Sequence, residues 1–417
     1  MPDASPSPSA APSNRITSID ALRGFVMFMM IFVNDLAGAP DSIVPDWMAH
    51  FSDRHKTGSG MTFVDLVFPG FLFIVGMSIP FALGPRLKRG EPLGKISGHI
   101  ITRTLALLAL GILMVNGEEG GGVAWEAEMF LSGILAFCSF MPREAGPKEA
   151  KFWKIANLCV RALGFAGMLY CALTFTNKHG HHMLTLSPLH LHVSWYGILG
   201  LIGWAYLATA ILFLIFRTRR TALLACITLM TSFFAADKYG FFDNFWPAQF
   251  VDFGGTLGSQ AAITVAGLLL ATILITPDMV ALKSKVKFTL LFSLSFAFAA
   301  LLLNGLYGIS KDDCTPSWCF WADAVTAVHW LGFYFVCDVK PVKFIAKPLS
   351  IAGQNVLLAY LLSEMQESVF DLLHLGNWYD SLSQGSLAAA IARSAGCAFF
   401  ILLLTAGLNR IGFRLKL

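Results

Sequence analysis

Charge is the scarcest property of this sequence. Asp, Glu, Lys and Arg make up 13% of its 417 residues, where a soluble globular chain carries about 25%. No polar insertion is long enough to form a separate water-facing domain. A soluble enzyme of this length needs a polar coat, so that class is excluded. Cysteine is sparse too, at 8 residues, which excludes a disulfide scaffold. What the chain has in abundance is apolar: 56% hydrophobic residues, 36 Phe, 10 Trp and a mean hydropathy of +0.64. Residues of this kind demand burial, which excludes a disordered chain. The composition is that of an all-α, polytopic integral membrane protein.

The first fourteen residues, MPDASPSPSAAPSN, are rich in Pro, Ser and Ala and read as a disordered tail. They lack the basic start and apolar stretch of a signal peptide. The first membrane helix is therefore expected to act as the targeting signal, with residues 15–417 forming one multi-helix domain. A crossing helix needs about 20 mostly apolar residues, and about twelve segments (10–12) meet that description. Their centres lie near Met30, Phe73, Leu108, Leu131, Phe165, Tyr206, Leu229, Gly267, Phe296, His329, Ala359 and Phe399. The fourth and seventh are short. Cytoplasmic loops carry the excess of Lys and Arg. With the N-terminus inside, 24 of the 30 basic residues fall on inward segments and alternate with every loop. Both termini are thus expected to be cytoplasmic. The net charge of +4 reflects these loop anchors and gives no reason to expect nucleic acid.

Polar and ionisable side chains inside spans are costly and mark bundle interiors or wet cavities. The first span opens with RITSIDALRG, where Thr17 and Asp20 have capping-box spacing and Asp20 and Arg23 are an i,i+3 ion pair. Asn34 lies about 18 Å beyond Leu22 at 1.5 Å per residue, toward the outer surface. An outward loop follows with Trp47, His50, Asp53, Arg54, His55 and Lys56, and it feeds into MTFVDLVFPGFLFIVGMSIPFAL. Asp65 sits at the mouth of that helix. Pro69, four residues on, leaves a carbonyl without its helical partner. An Asn, two His and an Asp at one rim supply a base, a group to orient it and an oxyanion donor. Arg103, Arg161, Asp323, His329, Glu364 and Arg393 are further intramembrane ionisable groups whose pairing the sequence leaves open.

SIDALRGFVMFMMIFVN, the histidine-bearing loop, and GMTFVDLVFPGFLFIVGMSI together resemble the heparan-α-glucosaminide N-acetyltransferase family of transmembrane acyltransferases. The likeness is close from Arg15 to Asn116. It recurs more weakly from Asn304 to Glu364, through CTPSWCFW and PLSIAGQNVLLAY. The combination of D-x-x-R-G with D-L-V-F-P carries the specificity. The resemblance implies acetyl transfer from cytosolic acetyl-CoA to an amine, or a hydroxyl, of a sugar across the bilayer. It implies a catalytic histidine ahead of D-L-V-F-P and an asparagine at the close of F-V-N. The asparagine is Asn34. His55 has the family's ten-residue spacing to Asp65 and stands first for the base; His50, in W-x-x-H from Trp47, is the rival. Asp65 would orient the imidazole. The CoA head group is expected among Asp20, Arg23, Arg86, Arg89, Arg103 and Asn355. No metal is expected. With the resemblance come a bacterial inner membrane and a homodimer as expectations.

Two other readings stand beside this one. Twelve spans with both ends inside also fit a secondary transporter of a small polar or anionic solute, with Asp323, His329, Glu364 and Arg393 as a relay. A ligand-binding protein without catalysis is the third. His179, His181, His182, His190 and His192 crowd one outward loop and read as solvated. Cys314 and Cys319 flank TPSW on the outward side, where a disulfide can form or not. The alternation of basic loops generates a direct test. In a cysteine-free background, single cysteines placed at Ser52 and at Lys285 are expected to react with an impermeant thiol reagent from opposite sides of sealed vesicles. Labelling of both from one side overturns the orientation.

Overall fold

A computed structural model of the chain describes residues 16–55, 57–118, 120–142, 146–177, 180, 182–187 and 189–417. The expected tail, together with Arg15, Lys56, Arg143, Lys178, His179 and His181, lies outside the described residues. The first half of the bundle is α1 (Thr17–Ala37), α2 (Phe51–Arg54), α3 (Val67–Lys88), α4 (Leu93–Glu118), α5 (Val123–Phe137), α6 (Pro147–Thr174), α7 (Gly197–Phe216) and α8 (Arg220–Lys238). The second half is α9 (Ala261–Ile275), α10 (Leu282–Tyr307), α11 (Pro316–Tyr334), α12 (Lys343–Ala352), α13 (Val356–Leu372), α14 (Gly376–Ser381) and α15 (Leu387–Arg410). Two short ladders complete it. β1 (Cys138–Phe140) pairs antiparallel with β4 (Phe413–Leu415), and β2 (Leu184–Leu186) pairs with β3 (Leu189–Leu191).

Each of the twelve expected centres falls inside one of these helices. Among the described residues nine helices are long and apolar enough to cross a bilayer, or ten if α12 and α13, bent by 71°, count as one span. The remaining two are α1, which carries Asp20, Arg23 and Asp35, and α5, whose 15 residues are the expected short fourth segment. The chain is a multi-pass α-helical membrane protein. Its core is α9, where every residue from Ala261 to Ile273 is buried between α3, α7, α8 and α11. At the periphery α10 exposes Leu290, Leu294, Phe298 and Leu301. Such a face is expected of a helix that lies against lipid.

Helix α1 is fixed at both ends by other helices. The expected Thr17–Asp20 capping box does not form: Ile16 is the N-cap, and Thr17 is already helical. The carboxylate of Asp338, beyond α11, accepts the free N–H groups of Thr17 (3.1 Å) and Ser18 (3.0 Å) instead. An acceptor from a neighbouring helix thus meets the orphan donors and complements the positive helix end. This leaves Asp20 to pair with Arg23 at 3.1 Å, as the spacing predicts. One turn on, α1 and α12 touch backbone to backbone. A Cβ on Gly24 would overlap the Leu349 carbonyl, and one on Gly353 would overlap that of Asp20.

The other end of α1 is held by Arg393 of α15. Its guanidinium donates to the Asp35 carbonyl (2.6 Å) and to Ser383 Oγ (3.0 Å), and lies 3.4 Å from the Asp35 carboxylate. Tyr379 donates its hydroxyl to that carboxylate at 2.7 Å. Burial and the Asp35 carboxylate push the Tyr379 hydroxyl above the ordinary phenol range, which keeps it a donor. Arg393 and Asp35 side chains are 3% and 9% exposed. Breaking a buried pair from one side costs about 3–5 kcal/mol. Arg393→Met is therefore expected to lower the melting temperature of the detergent-solubilised protein clearly, whereas Arg89→Met, at an exposed pair with Glu91, leaves it nearly unchanged. Equal melting temperatures for the two variants overturn the clamp.

Candidate active site

The loop after α1 folds back over the mouth of α3. Extended backbone at Pro45 and His50 flanks a single 3-10 turn, Asp46–Met48, and His50 itself caps the four-residue α2. That position turns the His50 ring toward Asp65, in the 3-10 turn Val64–Leu66 that precedes α3. His50 Nδ1 lies 2.6 Å from Asp65 Oδ1. Asp65 Oδ2 accepts the backbone N–H of Phe51 (3.1 Å) and of Thr62 (2.9 Å). A carboxylate that already accepts these two backbone N–H groups also accepts the hydrogen bond of an Nδ1–H, which leaves the free lone pair of His50 on Nε2.

Pro69 has the consequence its position predicts. It is the third residue of α3 and has no N–H for the carbonyl four residues before it, which is that of Asp65. The indole Nε1 of Trp318, a fully buried residue of α11, donates to that carbonyl at 3.1 Å. Asp65 is thereby held by its backbone from α11 and by its side chain from the loop.

His50 and Asn34 line one cavity of about 900 Å³ at this end of the bundle, together with Trp318, Tyr196, Gln260 and Lys311. Asn34 Nδ2 donates to Glu364 Oε1 of α13 at 3.3 Å. Lys311 Nζ stands 3.2 Å from His50 Nδ1 and 3.3 Å from Nε2. Of the five loop histidines, His190 and His192 line the cavity, and His182 bonds Thr176. His55, first by spacing, is not among the lining residues. It caps the far end of α2, exposed, with its ring 4.6 Å from that of Phe51. A helix of four residues places its first and last flanking side chains on different sides, and only the first reaches Asp65.

A second cavity of about 600 Å³ opens at the end of the bundle that carries the basic loops. Asp20, Arg23, Arg103 and Asn355 line it; Arg86 and Arg89 do not. Arg89 pairs with Glu91 at 2.9 Å instead. Arg23 reaches Ser78 Oγ (2.5 Å) and the Gly353 carbonyl (3.2 Å). Arg103 lies 4.6 Å above the Tyr206 ring, and its buried Nε has no hydrogen-bond partner among the described residues. A buried guanidinium donor without an acceptor suits an anionic or carbonyl-bearing ligand. The two cavities abut at Met30 and Ile198, which line both. One face of α1 runs past both at helical spacing: Ile19, Arg23, Met27 and Met30 line the second cavity, and Met30 and Asn34 the first.

Sequence reasoning passed over Lys311, a lone lysine in an outward loop, because a solvated loop lysine carries no signal; its contact spans 261 residues. It also passed over His99, which lines the second cavity, and it gave Met30 and Ile198 no place between the two cavities. Asp323, His329, Glu364 and Arg393, the relay of the transporter reading, line neither of the two cavities. Cys314 and Cys319 are both free thiols. Gln260 donates to Cys314 Sγ at 3.0 Å, and burial pushes the Cys314 thiol up to about 12, so it is no thiolate nucleophile. Among the described residues no group of three or more His, Cys, Asp or Glu is placed to hold a metal.

A multi-pass helical membrane protein with a His–Asp pair over one of two abutting cavities is the class that fold and site define. A family described as a domain of unknown function (DUF5009) matches residues 15–119, a stretch that holds α1, the His50 loop, α3 and α4. The chain is 29% identical over 153 residues to heparan-α-glucosaminide N-acetyltransferase of Mus musculus, covering 36% of this chain and 22% of that protein. It is 33% identical over 122 residues to the Homo sapiens protein of the same name, covering 29% and 17%. The resemblance read from the sequence is borne out, and the chain spans about a fifth of the length of the curated relatives it matches.

The Asp65 carbonyl supplies a test of the site's framework. Trp318→Phe keeps an aromatic ring but removes the indole N–H, which leaves that carbonyl without a donor at a cost of about 1–3 kcal/mol, and it adds a packing loss because the buried site loses the fused ring. It is expected to lower thermal stability and to raise hydrogen exchange at Thr62 and Phe51. Unchanged exchange at both overturns the link between α11 and the His50–Asp65 pair.

Proposed function

We propose that this chain is a transmembrane acetyltransferase that carries an acetyl group from acetyl-CoA at the basic end of the bundle to an amine, or a hydroxyl, of a sugar at the His50 end. With the orientation expected from the loops, the donor is cytosolic and the acceptor lies on the periplasmic side of a bacterial inner membrane. The observation that carries this reading is the junction at Met30 and Ile198. There a cavity lined by Arg23 and Arg103 meets one lined by His50 and Asn34, with Met30 and Ile198 shared between them.

The chemistry follows from the side chains. Arg23, Arg103 and Asn355 receive the phosphates and amides of the donor head. The neutral arm of the donor runs along the α1 face past Met27 and Met30, and its thioester stops beside Asn34. The Nε2 lone pair of His50 takes the proton of the acceptor, with Asp65 fixing the tautomer and the ring. The acceptor nitrogen or oxygen attacks the thioester carbonyl, and the Asn34 amide, oriented by Glu364, donates to the oxyanion. Collapse releases the CoA thiol toward the basic end. In place of His55, the geometry favours His50 as the base, because His50 has both the cavity and the carboxylate.

Two variants separate these roles. With labelled acetyl-CoA and glucosamine as acceptor, His50→Ala is expected to lose about 10²–10⁴-fold in transfer rate, the usual span for a general base. His55→Ala is expected to stay within about twofold of the parent. Full activity in His50→Ala overturns the assignment, and thermal stabilisation by CoA checks that each variant still binds the donor.

A further inference from the structure

Resting on the acetyltransferase reading above, we infer that Lys311 is itself an acetyl acceptor, a self-modification site built into the cavity. The base needs an amine close to His50 Nε2, within the cavity that receives the thioester. Lys311 Nζ meets both conditions already: it lies 3.3 Å from Nε2 and lines the same cavity as Asn34 and His50. It reaches this place from the loop between α10 and α11. That loop is fastened on either side by the Ser310 N–H to Thr315 Oγ1 bond (3.0 Å) and by the Ser59–Ile309 contact (2.6 Å). A nucleophile held in such a position acts at a high effective concentration, without the entropy cost of bringing in a second molecule.

The step balances without any further reagent. His50 Nε2 removes a proton from the Lys311 ammonium. The neutral Nζ attacks the thioester carbonyl carbon, the C–N bond forms, and the C–S bond breaks. The CoA thiolate leaves and takes the proton from the imidazolium, while the second Nζ proton passes to solvent as the amide forms. The product is an amide, which does not transfer onward. It removes the cation next to His50 and fills the position an acceptor amine would take. In the absence of acceptor the modified chain is therefore expected to lose activity progressively.

The test uses the full chain in lipid nanodiscs with isotopically labelled acetyl-CoA, with and without glucosamine, read by peptide mass spectrometry. Labelled acetyl on Lys311 without glucosamine, less of it with glucosamine, and at least about tenfold less in His50→Gln, is the expected result. Lys311→Arg removes the label from this peptide and leaves any label on other lysines in place. Transfer to glucosamine with Lys311 unlabelled overturns this inference and leaves the acetyltransferase reading standing. Equal labelling in His50→Gln shows chemical acetylation and overturns it too. Neither transfer nor label overturns both.

Discussion

The carboxylate of Asp65 is the joint on which the His50 end of the bundle depends. Its two oxygens gather His50, Phe51 and Thr62 from the loop, and its own carbonyl is met by Trp318 from α11. An irregular loop at membrane depth has to satisfy its backbone within the protein, and a carboxylate that accepts several N–H groups does this economically. The same bonds fix the imidazole. Folding of the loop and orientation of the ring are therefore one event, and a change to either disturbs both.

Helix α1 carries that constraint across the membrane. Asp338 caps its first turn and Arg393 holds its last, so both ends of the helix are set by residues from the C-terminal third of the chain. Between them, Gly24 and Gly353 bring α1 against α12 at backbone distance. A helix pinned in this way does not slide or rotate freely, and its cavity face presents Arg23, Met30 and Asn34 in fixed relation. The buried Arg393–Asp35 pair is a weak source of net stability because both groups lose water. Its value lies in position: it anchors the residue beside Asn34.

Much of this was legible in the sequence because lipid restricts what a chain can do. Apolar length placed all twelve expected centres inside helices, of which nine or ten among the described residues are long and apolar enough to cross a bilayer, and the polar residues that no lipid would tolerate marked Asn34, Asp65 and Arg393. The carbonyl freed by Pro69 was legible as a vacancy, though its donor, Trp318, 253 residues away, was not. The choice between His50 and His55 was beyond reach for a local reason. Both lie on one loop five residues apart, and the decision rests on a four-residue helix whose two ends face different ways. Lys311 was hidden for the opposite reason, since its place beside His50 rests on a contact across 261 residues. The Thr17–Asp20 capping box does not form because the first turn of α1 finds its acceptor in Asp338, just beyond α11.

On the acetyltransferase reading, the place where the two cavities meet at Met30 and Ile198 is a neck between them, and two cavities serve better than one channel. A continuous wet path would let ions cross the membrane, whereas two unbranched or branched apolar side chains at the junction oppose the passage of any charge. A thin neutral arm incurs no such penalty, and the flexible thioether of Met30 adapts to it at little cost. On this reading the donor's charged head is stopped at Arg23 and Arg103 by the same neck that its arm can pass. The acceptor is stopped on the other side at His50. The reacting atoms then meet beyond the neck, where Asn34 stands, while the solvent on each side stays apart.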